Sequence, residues 1–595
     1  MSPTAASRSL QNRIDITRDP FSDLGSPLLV YKHRGRDGLY MEVARRFSSS
    51  PPGQDPVQER RPCIDHFTFT DQHGSSLDFN LTTHPHALLF ETQRGAFQLA
   101  IREGDTFAIG LPPKTRCGVM FRVHPPLRIP SIHDDNLGRF PRLECKTTAP
   151  RLEQKIIPTG RGVEVKLKCH TGEDDALHLH ITTGDQPNPQ AIPFSQVLKT
   201  SADRWRDWFA RVPALHGPHQ DLYHYAWWVL GNNLIHPQGS IPFPGVMPSK
   251  TKYIGIWNWD ACFHALALRH MDPELARDQL RIILAHQKAN GMLPDAVHQD
   301  GVVDWIDHPF PNFVTKPPIL AWAALKIHEV DPQPSFLEEI YPKAVAWHDW
   351  WFSGADEDGL AQYHHPYASG LDDSPLWDHG FPVTSPDLNT YLVIQRESLA
   401  DISRILGEEK QAAAWLEGAD ELTERMMEHL YAPELGYFPA KNGGQLIPAF
   451  TPFNLYPLWT GRLPSSIQNR LLEHLKDQRK FWSAFPLATV AMDSPSFDPH
   501  TMWRGPTWVN INYLFIQALS RIGEDHLAHE LRQRTLALLG NHPGLFEYYH
   551  PQTGQPPAEA APMFSWTAAV VIDLLLGWKK QGKASFRKEG EKVHG

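Results

Sequence analysis

The sequence of 595 residues predicts a mainly α-helical fold, in which an (α/α)6 toroid is preceded by an antiparallel β-sandwich. Three observations lead to this prediction. All 19 tryptophans lie at or after Trp205, so the chain divides into two regions of different composition. The first region shows the period-2 alternation of half-buried strands, and the second shows the 3.6-residue period of amphipathic helices. A chain of this length can form two or three domains.

Residues 1–190 are predicted to form the β-sandwich. Residues 163–169 alternate apolar and charged side chains, and residues 177–181 repeat the alternation, as in strands that bury one face. Gly and Pro separate these segments, which is typical of short antiparallel strands joined by turns. Further strands are expected at residues 39–43, 87–91, 96–101 and 106–111.

Residues 191–214 are interpreted as a linker with a short helix at 201–211, and residues 215–595 as the toroid. Residues 276–290 place Leu280, Ile283 and Leu284 on one helical face, with Asn290-Gly291 as the expected C-cap. Helices in this number predict six hairpins closed into a ring, although an irregular α-bundle has the same periodicity. The other expected helices span residues 219–235, 260–271, 317–330, 336–353, 387–406, 409–430, 465–477, 507–522, 524–539 and 564–578.

Composition and charge argue against several classes of function. The formal charge of −10, without a dense block of Lys or Arg, does not suit nucleic-acid binding. Five widely spaced cysteines without a CxxC pattern predict reduced thiols rather than disulfides or a zinc site. No apolar secretory signal and no stretch of the ~18 apolar residues that span a bilayer is found, so a cytoplasmic protein is expected. The oligomeric state cannot be read from the sequence.

A turn fixed by Gly370 and Pro375 contains the first candidate catalytic carboxyl group, Asp372, and Trp377 follows it closely. An apolar flank of this kind raises the pKa of a carboxyl group and keeps it protonated at neutral pH, as a general acid requires. An Asx-turn or a helix cap is the alternative role for Asp372. Asp373 is a rival for the acid role, since two adjacent side chains usually point apart.

The second candidate, Glu547, lies about 175 positions later between Phe546 and Tyr548, in a segment bounded by Gly544 and Pro551. These neighbours place it on a loop and not on a helix face. Two carboxyl groups brought together from distant loops are what the hydrolysis of a glycosidic bond requires. Taken alone, Glu547 can also be read as an ordinary surface glutamate.

An aromatic segment at residues 252–260 is the predicted sugar platform. Tyr253, Trp257 and Trp259 place three rings within seven residues of a loop, beside Asp260, which is interpreted as a helix N-cap. Aromatic faces stack on the C–H face of a pyranose, while carboxylates hold its hydroxyl groups. Core packing is the alternative, because tryptophan commonly contributes to protein cores.

A second aromatic cluster, residues 502–513, contains Trp503, Arg504 and Trp508. Pro506 suits the first turn of a helix, so the residues before it can face a cavity. Arg504 can grip hydroxyl groups, orient a carboxylate or bind an anionic leaving group. A structural arginine bonded to loop carbonyls is the alternative.

Together these segments resemble the glycoside hydrolases of the (α/α)6 clan that contains family 63, and within it the mannosylglycerate and glucosylglycerate hydrolases. The resemblance implies an enzyme that inverts the anomeric centre, with Asp372 as general acid and Glu547 as general base. The sugar contacts expected from the matching blocks and their neighbours are Tyr253, Trp257, Trp259, Asp260, Trp377, Arg504, Trp508, Tyr548 and Trp566. The blocks occur in the family's order over about residues 220–580, at 253–260, 369–378, 503–512, 547–549 and 565–569.

The expected activity is that of an inverting exo-acting α-glycosidase, of the α-glucosidase or α-mannosidase type, on small α-glycosides or oligosaccharides. We expect a small carbohydrate as partner and no cofactor, metal, nucleic acid or membrane. The compact bacterial enzymes of this type lack a large N-terminal β region, whereas this chain has about 190 residues of it, which weakens the transfer of their substrate. The alternatives are an inverting sugar phosphorylase of the same two-domain architecture, a polysaccharide lyase and a non-catalytic carbohydrate-binding protein.

Overall fold

The computed structural model describes residues 5–11, 13–46, 62–102, 104–129, 141–160, 162–182 and 189–577. A β region precedes a helical region, and a short helix, α1 (Ala5–Leu10), comes first. The strands of the β region are β1 (Leu28–Tyr31), β2 (Leu39–Val43), β3 (Ile64–Thr70), β4 (Phe79–His84), β5 (Ala87–Thr92), β6 (Gly95–Arg102), β7 (Thr106–Gly110), β8 (Arg116–Val123), β9 (Arg142–Thr147), β10 (Arg151–Thr159), β11 (Gly162–His170) and β12 (Ala176–Thr182).

The described residues of the β region form two six-stranded antiparallel sheets, with the strand orders β1-β2-β3-β8-β11-β10 and β4-β5-β6-β7-β12-β9. The strands expected from alternation and turn signals, β2, β5, β6, β7, β11 and β12, are confirmed. Sequence analysis missed β1, β3, β4, β8, β9 and β10. Strand β10 shows why: it lies at a sheet edge with most of its side chains at least partly exposed, so no apolar period marks it.

Phenylalanine rings hold the two sheets against each other. The ring centroid of Phe69 on β3 lies 4.4 Å from that of Phe97 on β6 and 4.8 Å from that of Phe90 on β5. Phe67 stacks on Phe121 at 5.7 Å within the first sheet. All five rings are fully buried. Each stabilises the fold by about 1.5–3 kcal/mol through the removal of apolar surface from water.

Helix α2 (Phe194–Arg211) packs on the second sheet and leads to the helical region. It begins several residues earlier than the short linker helix that the sequence predicts, because Phe194 and Val197 bury their side chains against β5, β6, β7 and β12. Arg204 on the same helix pairs with the buried carboxylate of Asp23 in the N-terminal segment. The predicted linker is therefore a packed element.

Eleven further helices, α3 to α13, form the helical region, and all eleven expected helices are confirmed apart from small differences at their ends and one larger difference at the end of α5. They are α3 (Gln220–Asn233), α4 (Asn258–Leu268), α5 (Pro273–Leu284), α6 (Leu320–His328), α7 (Pro334–Phe352), α8 (Pro386–Ile405), α9 (Glu409–His429), α10 (Ser465–Lys476), α11 (Val509–Arg521), α12 (Asp525–Gly540) and α13 (Ser565–Leu576).

The expected C-cap at Asn290-Gly291 is wrong, because α5 already ends at Leu284 with Ala285 as its C-cap residue. Gly291 belongs to a separate turn and has a φ of 91°. A Cβ atom at Gly291 would lie 2.3 Å from the carbonyl oxygen of Ala346, so this turn requires glycine for its own reasons.

Short strands and 3-10 helices lie in the loops between these helices. The strands are β13 (Leu234–Ile235), β14 (Gly245–Val246), β15 (Ile256–Trp257), β16 (Ala296–His298), β17 (Gly301–Val303), β18 (Trp305–Ile306), β19 (Asn312–Phe313), β20 (Gln362–Tyr363), β21 (Val383–Thr384), β22 (Lys441–Asn442) and β23 (Gln445–Leu446). The 3-10 helices span Pro366–Ser369, Pro375–Trp377 and Pro452–Thr460. Within the described ranges, no helix combines the length and the apolar character needed to cross a bilayer.

Six elements of the helical region contact one another in a closed circle: α4, α6, α8, the 3-10 helix Pro452–Thr460, α11 and α13. The remaining helices, α3, α5, α7, α9, α10 and α12, each pack on one or two members of this circle. Burial follows the same division. Every residue of α4 is buried, whereas α9 buries only one stripe of side chains, as expected for a helix with one face toward solvent.

Replacement of Phe69 by alanine tests the packing between the sheets. We expect a loss of about 3–5 kcal/mol in the free energy of unfolding of the β region, because the cavity would open between rings of both sheets. Chemical denaturation followed by fluorescence and circular dichroism measures the loss. The matched control is Phe313→Ala, since the Phe313 side chain is 46 % exposed. A Phe69 variant as stable as this control would contradict the proposed core.

Candidate active site

One cavity of the helical region contains both candidate catalytic groups, Asp372 and Glu547. It encloses ≈ 400 Å³ of empty space, part of which is open to solvent. Its walls come from the segments that lead into α4, α6, α11 and α13 and from the loop between α7 and α8. The lining residues are Pro248, Tyr253, Trp257, Trp259, Asp260, Lys316, Gly370, Asp372, Met502, Trp503, Trp508, Glu547, Phe564 and Trp566.

The turn that carries Asp372 is fixed by a glycine and a tryptophan. Gly370 has a φ of 73°, and a Cβ atom there would lie 2.4 Å from the ring of Trp259. Only glycine meets both conditions. The Trp377 indole N–H donates to the carbonyl oxygen of Leu371, the next residue, at 2.6 Å. Both contacts hold the backbone directly before Asp372, so the direction of its carboxyl group is set by the fold.

The carboxyl group of Asp372 faces the cavity and is partly exposed. Burial raises the pKa of Asp372 to about 7; the Lys316 ammonium opposes the rise, and neighbouring carboxyl groups, Asp295 first, add to it. No hydrogen bond between described residues contributes to holding the charged form. The group therefore keeps its proton over a range of pH in which an ordinary aspartate is ionised.

Asp373, the rival for the acid role, does not line the cavity. Its Oδ1 accepts a hydrogen bond from the backbone N–H of Trp503 at 2.8 Å. Its carbonyl oxygen accepts another from the Arg504 guanidinium at 3.2 Å. Asp373 thus connects the turn at residues 370–375, called the acid turn after the candidate acid Asp372, to the segment before α11. The adjacent Asp372 side chain points toward the cavity.

Glu547 is only 2 % exposed, so it is not a surface glutamate. Its Oε1 accepts a hydrogen bond from the Tyr253 hydroxyl at 2.7 Å, and its Oε2 accepts one from the Ala561 N–H at 3.1 Å. The Lys252 Nζ lies 3.8 Å from Oε2. Burial raises the pKa of Glu547, and these three partners act to lower it, the ammonium most. Because two carboxyl groups in one cavity repel each other when both are ionised, the one that receives more hydrogen bonds retains the negative charge.

The rings predicted as a sugar platform differ in exposure. Tyr253 and Trp257 are half-buried and line the cavity, as a stacking surface requires. Trp259 also lines it but is only 2 % exposed. The prediction that Trp259 lies in a loop is wrong, because it stands in the first turn of α4. There it packs between Gly370 and Trp566, so it forms the floor of the cavity.

Trp508 and Trp566 line the cavity as the sequence predicts, and both are almost completely buried. Trp508 stacks on Trp503 with their ring centroids 3.8 Å apart and an interplanar angle of 5°. Its ring also lies 5.3 Å from that of Trp566. Other rings cover much of both side chains, so they form a rigid wall rather than a free stacking face.

Three residues expected to contact a ligand, Trp377, Arg504 and Tyr548, are not among the lining residues. Trp377 is occupied in bracing the acid turn. The Arg504 guanidinium pairs with the carboxylate of Asp378 at 3.1 Å and also donates to the carbonyl oxygen of Asp373, the loop-carbonyl bond of its alternative structural role. Tyr548 is 1 % exposed and packs its ring 4.9 Å from that of Trp508. All three support the cavity wall from behind.

Asp260 lines the cavity but does not cap α4, because the helix already begins at Asn258. It stands in the first turn instead, with 7 % exposure. Burial raises the pKa of Asp260 to about 8; Lys316 opposes the rise, and Glu547 and Asp295 add to it. At neutral pH this carboxyl group is therefore largely protonated and can donate as well as accept a hydrogen bond.

Sequence analysis missed a buried ion pair beside the cavity, formed by Lys316 and Asp295. The Lys316 Nζ lies 2.8 Å from Asp295 Oδ1 and donates to the carbonyl oxygen of Tyr367 at 2.6 Å. Both side chains are almost fully buried. The sequence shows only a lysine directly before Pro317-Pro318, shortly before α6 begins at Leu320. This pattern is too weak to identify a site without the fold. Among the described residues, no group of three His, Cys, Asp or Glu side chains could hold a metal ion.

Comparison with known proteins identifies the matching family and relatives. Residues 253–567 match the model of the mannosylglycerate hydrolase MGH1-like glycoside hydrolase domain. The chain is 27% identical over 406 residues to mannosylglycerate hydrolase of Thermus thermophilus, covering 56% of this chain and 95% of the relative. It is 25% identical over 416 residues to glucosylglycerate hydrolase of Mycolicibacterium hassiacum, covering 54% and 92%.

Solved structures show the same fold. A mannosylglycerate hydrolase of Thermus thermophilus in complex with glucose aligns with a TM-score of 0.52 at 24% identity, over 60% of this chain and 99% of that one. A bacterial glucoamylase complexed with acarbose aligns with a TM-score of 0.58 at 11% identity, over 94% of each chain. The second likeness extends over both the β region and the helical region.

Replacement of Asp372 by asparagine is expected to stabilise the folded protein in a pH-dependent manner. The folded-state pKa of Asp372 lies above its ordinary value of 3.8, so its ionisation costs stability as the pH rises from about 4 toward 7. Asparagine removes this cost. We expect a gain of about 1–3 kcal/mol near pH 8, reduced by solvent in the open part of the cavity, and a small gain near pH 4.

Thermal unfolding measured across this pH range tests the expectation. The control is Asp207→Asn, because the Asp207 side chain is 73 % exposed and lies outside the cavity. An Asp372 variant whose stability follows that of the wild type at every pH would show that this carboxyl group is ordinary.

Proposed function

The chain belongs to the family of mannosylglycerate hydrolase MGH1-like glycoside hydrolases, and on this premise we propose that Asp372 is its general acid and Glu547 its general base. The enzyme is an inverting α-glycosidase. One observation carries the assignment of roles. Both carboxyl groups face the same cavity, yet Glu547 has two hydrogen-bond donors and a nearby ammonium, whereas Asp372 has no such donor among the described residues.

In the proposed reaction Asp372 donates its proton to the glycosidic oxygen while the bond to the anomeric carbon breaks. Glu547 takes a proton from a water molecule that attacks the opposite face of the sugar, so the configuration inverts. The leaving group departs as an alcohol, and the sugar gains a hydroxyl group. We expect the two carboxyl groups to stand roughly 6.5–9.5 Å apart, the separation that admits both sugar and water. The Tyr253 hydroxyl fixes Glu547 for this task.

We propose that the sugar bound in the cavity is a neutral hexose, glucose or mannose, in α linkage. The named relatives are hydrolases of mannosylglycerate and glucosylglycerate. Among the lining residues, the acidic side chains of Asp260, Asp372 and Glu547 face the cavity against one ammonium, that of Lys316. With Asp260 and Asp372 protonated, these side chains suit the hydroxyl groups of a sugar. The carboxylate of Glu547 stands where a phosphorylase would bind inorganic phosphate, which argues against that alternative. The substrates named for these relatives favour exo action on a small α-glycoside.

We also propose that the helical region is an (α/α)6 toroid that serves as the catalytic domain. The closed circle of six contacting elements, with six helices packed outside it, supports this architecture. The enzyme would act in the cytoplasm, a proposal supported by the five cysteines, none of which forms a disulfide within the described ranges.

The variants Asp372→Asn and Glu547→Gln test the proposed roles. Each is expected to lower kcat on α-mannosylglycerate and α-glucosylglycerate by about 10²–10⁴-fold, the range that general acid and base groups contribute. The two variants are expected to differ on α-glycosyl fluorides. Fluoride leaves with little help from an acid, so Asp372→Asn would recover much of its activity, while Glu547→Gln would remain inactive.

The matched control is Asp373→Asn, in which the side-chain oxygen can still accept the Trp503 N–H, and we expect its kcat to stay within about 10-fold of wild type. Circular dichroism and thermal unfolding establish that each variant is folded. Near-normal activity of either cavity variant on the glycerate glycosides would remove that residue from the mechanism. Equal losses in all three variants would point to a general disturbance of the acid turn.

A further inference from the structure

Within the described part of the chain, the Lys316–Asp295 ion pair is the one buried cation–anion contact that borders the cavity, and the mechanism above does not use it. Lys316 lines the cavity, whereas Asp295 lies behind it, immediately before strand β16. Their side chains are 7 % and 5 % exposed, and the charged atoms are 2.8 Å apart. A buried ion pair seldom adds net stability compared with apolar side chains of similar size. Its presence here therefore calls for a functional explanation.

The contacts of this pair lead to the general acid. The Lys316 ammonium donates to the Tyr367 carbonyl oxygen at 2.6 Å, in the 3-10 helix that directly precedes the acid turn. The backbone carbonyl oxygen of Asp295 in turn accepts a hydrogen bond at 2.9 Å from the N–H of Asn258, which directly follows Trp257, one of the two half-buried rings of the cavity. One ion pair thus joins three parts of the site: the segment before α6, the sugar platform and the turn that carries Asp372.

We propose that the Lys316–Asp295 pair is a positioning device for the general acid, which holds the turn of Asp372 in place and balances the charge beside its carboxyl group. The inference rests on the roles proposed above for Asp372 and Glu547. In this proposal Lys316 acts on the reaction through Asp372 and takes no part in the bond-making or bond-breaking steps. Asp295 has two tasks: it fixes the ammonium, and it offsets the positive charge that would otherwise strip the proton from the acid.

The electrostatic contributions have opposite signs, and this makes the proposal testable. Lys316 favours the ionised form of Asp372, while Asp295 favours the protonated form. Burial acts to lower the pKa of Lys316, but the neighbouring carboxyl groups, Asp295 first, outweigh it, so the lysine stays charged. The charged or titratable groups that act on Asp372 or share its cavity include Lys316, Asp295, Asp373, Glu547, Tyr253, Tyr367 and Asp260. Asp260 also interacts with Lys316 and Asp295, so the stability measurement below, which is specific to Asp372, accompanies the pH profile.

The experiment compares the pH profiles of kcat/KM for Lys316→Met and Asp295→Asn, with α-mannosylglycerate and α-glucosylglycerate as substrates. The basic limb of the profile reports loss of the proton from the acid–base pair. Loss of the cation is expected to move this limb up by about 1 pH unit, and loss of the anion to move it down by a similar amount. A merely structural role would lower activity without moving the limb in opposite directions.

The double variant Lys316→Met/Asp295→Asn removes both charges. We expect its basic limb to return to within about 0.5 pH unit of wild type, while kcat remains lowered because the bond to the Tyr367 carbonyl is lost. The matched control is Lys288→Met. Lys288 forms an ion pair of similar length with Asp304, at 2.6 Å, but neither residue lines the cavity. The basic limb of the pH profile of this variant should therefore stay at its wild-type position.

A second measurement needs no substrate. The pH at which Asp372→Asn ceases to gain stability over its parent marks the folded-state ionisation of Asp372. In the Lys316→Met background this pH should rise, and in the Asp295→Asn background it should fall. Shifts in the same direction, or none in either background, would overturn the inference. Failure of the proposed function is distinguishable, because it would appear as activity retained by Asp372→Asn itself, whatever the ion-pair variants do.

Discussion

Two carboxyl groups that share one cavity repel each other when both are charged, and the rest of this site is arranged around that constraint. The fold resolves it by giving the two groups unequal numbers of hydrogen-bond donors. Glu547 receives hydrogen bonds from the Tyr253 hydroxyl and a backbone N–H and lies near the Lys252 ammonium. Asp372 receives no hydrogen bond from the described residues, and the one ammonium that acts on it, that of Lys316, is paired with Asp295. The site can therefore hold one proton and one negative charge in a single cavity, which is the state the proposed inverting mechanism needs.

Burial of these carboxyl groups lowers the stability of the folded protein, and rigid contacts hold them in place. The acid turn is braced by Gly370 against Trp259 and by Trp377 against the backbone of Leu371. A stacked wall of tryptophans surrounds it, built from the first turns of helices and the segments before them. Loops alone would leave the two carboxyl groups free to turn toward solvent. The closed circle of helices fixes both ends of these loops instead, so that a separation of about 175 positions in sequence becomes one cavity in space.

Much of this could be predicted from the sequence, because the informative residues carry distinctive neighbours. Eleven helices had clear periods, and Asp372, Glu547, Tyr253 and Trp257 stood in aromatic or glycine-rich turns. Orientation could not be predicted. Trp377, Arg504 and Tyr548 are of residue types that commonly line a sugar site. Each of them instead bonds or packs behind the cavity wall. Lys316 and Asp295 escaped notice because an ion pair between distant residues leaves no local pattern, and edge strand β10 did so because water on most of its side chains removes the alternation.

A neutron crystal structure collected near pD 6 would test the central claim most directly, since it locates the protons that X-ray diffraction does not show at ordinary resolution. The account predicts deuterium on a carboxyl oxygen of Asp372, none on Glu547, and the Tyr253 O–D directed at Oε1 of the glutamate. Deuterium on Glu547 with a bare Asp372 would contradict the assignment of acid and base.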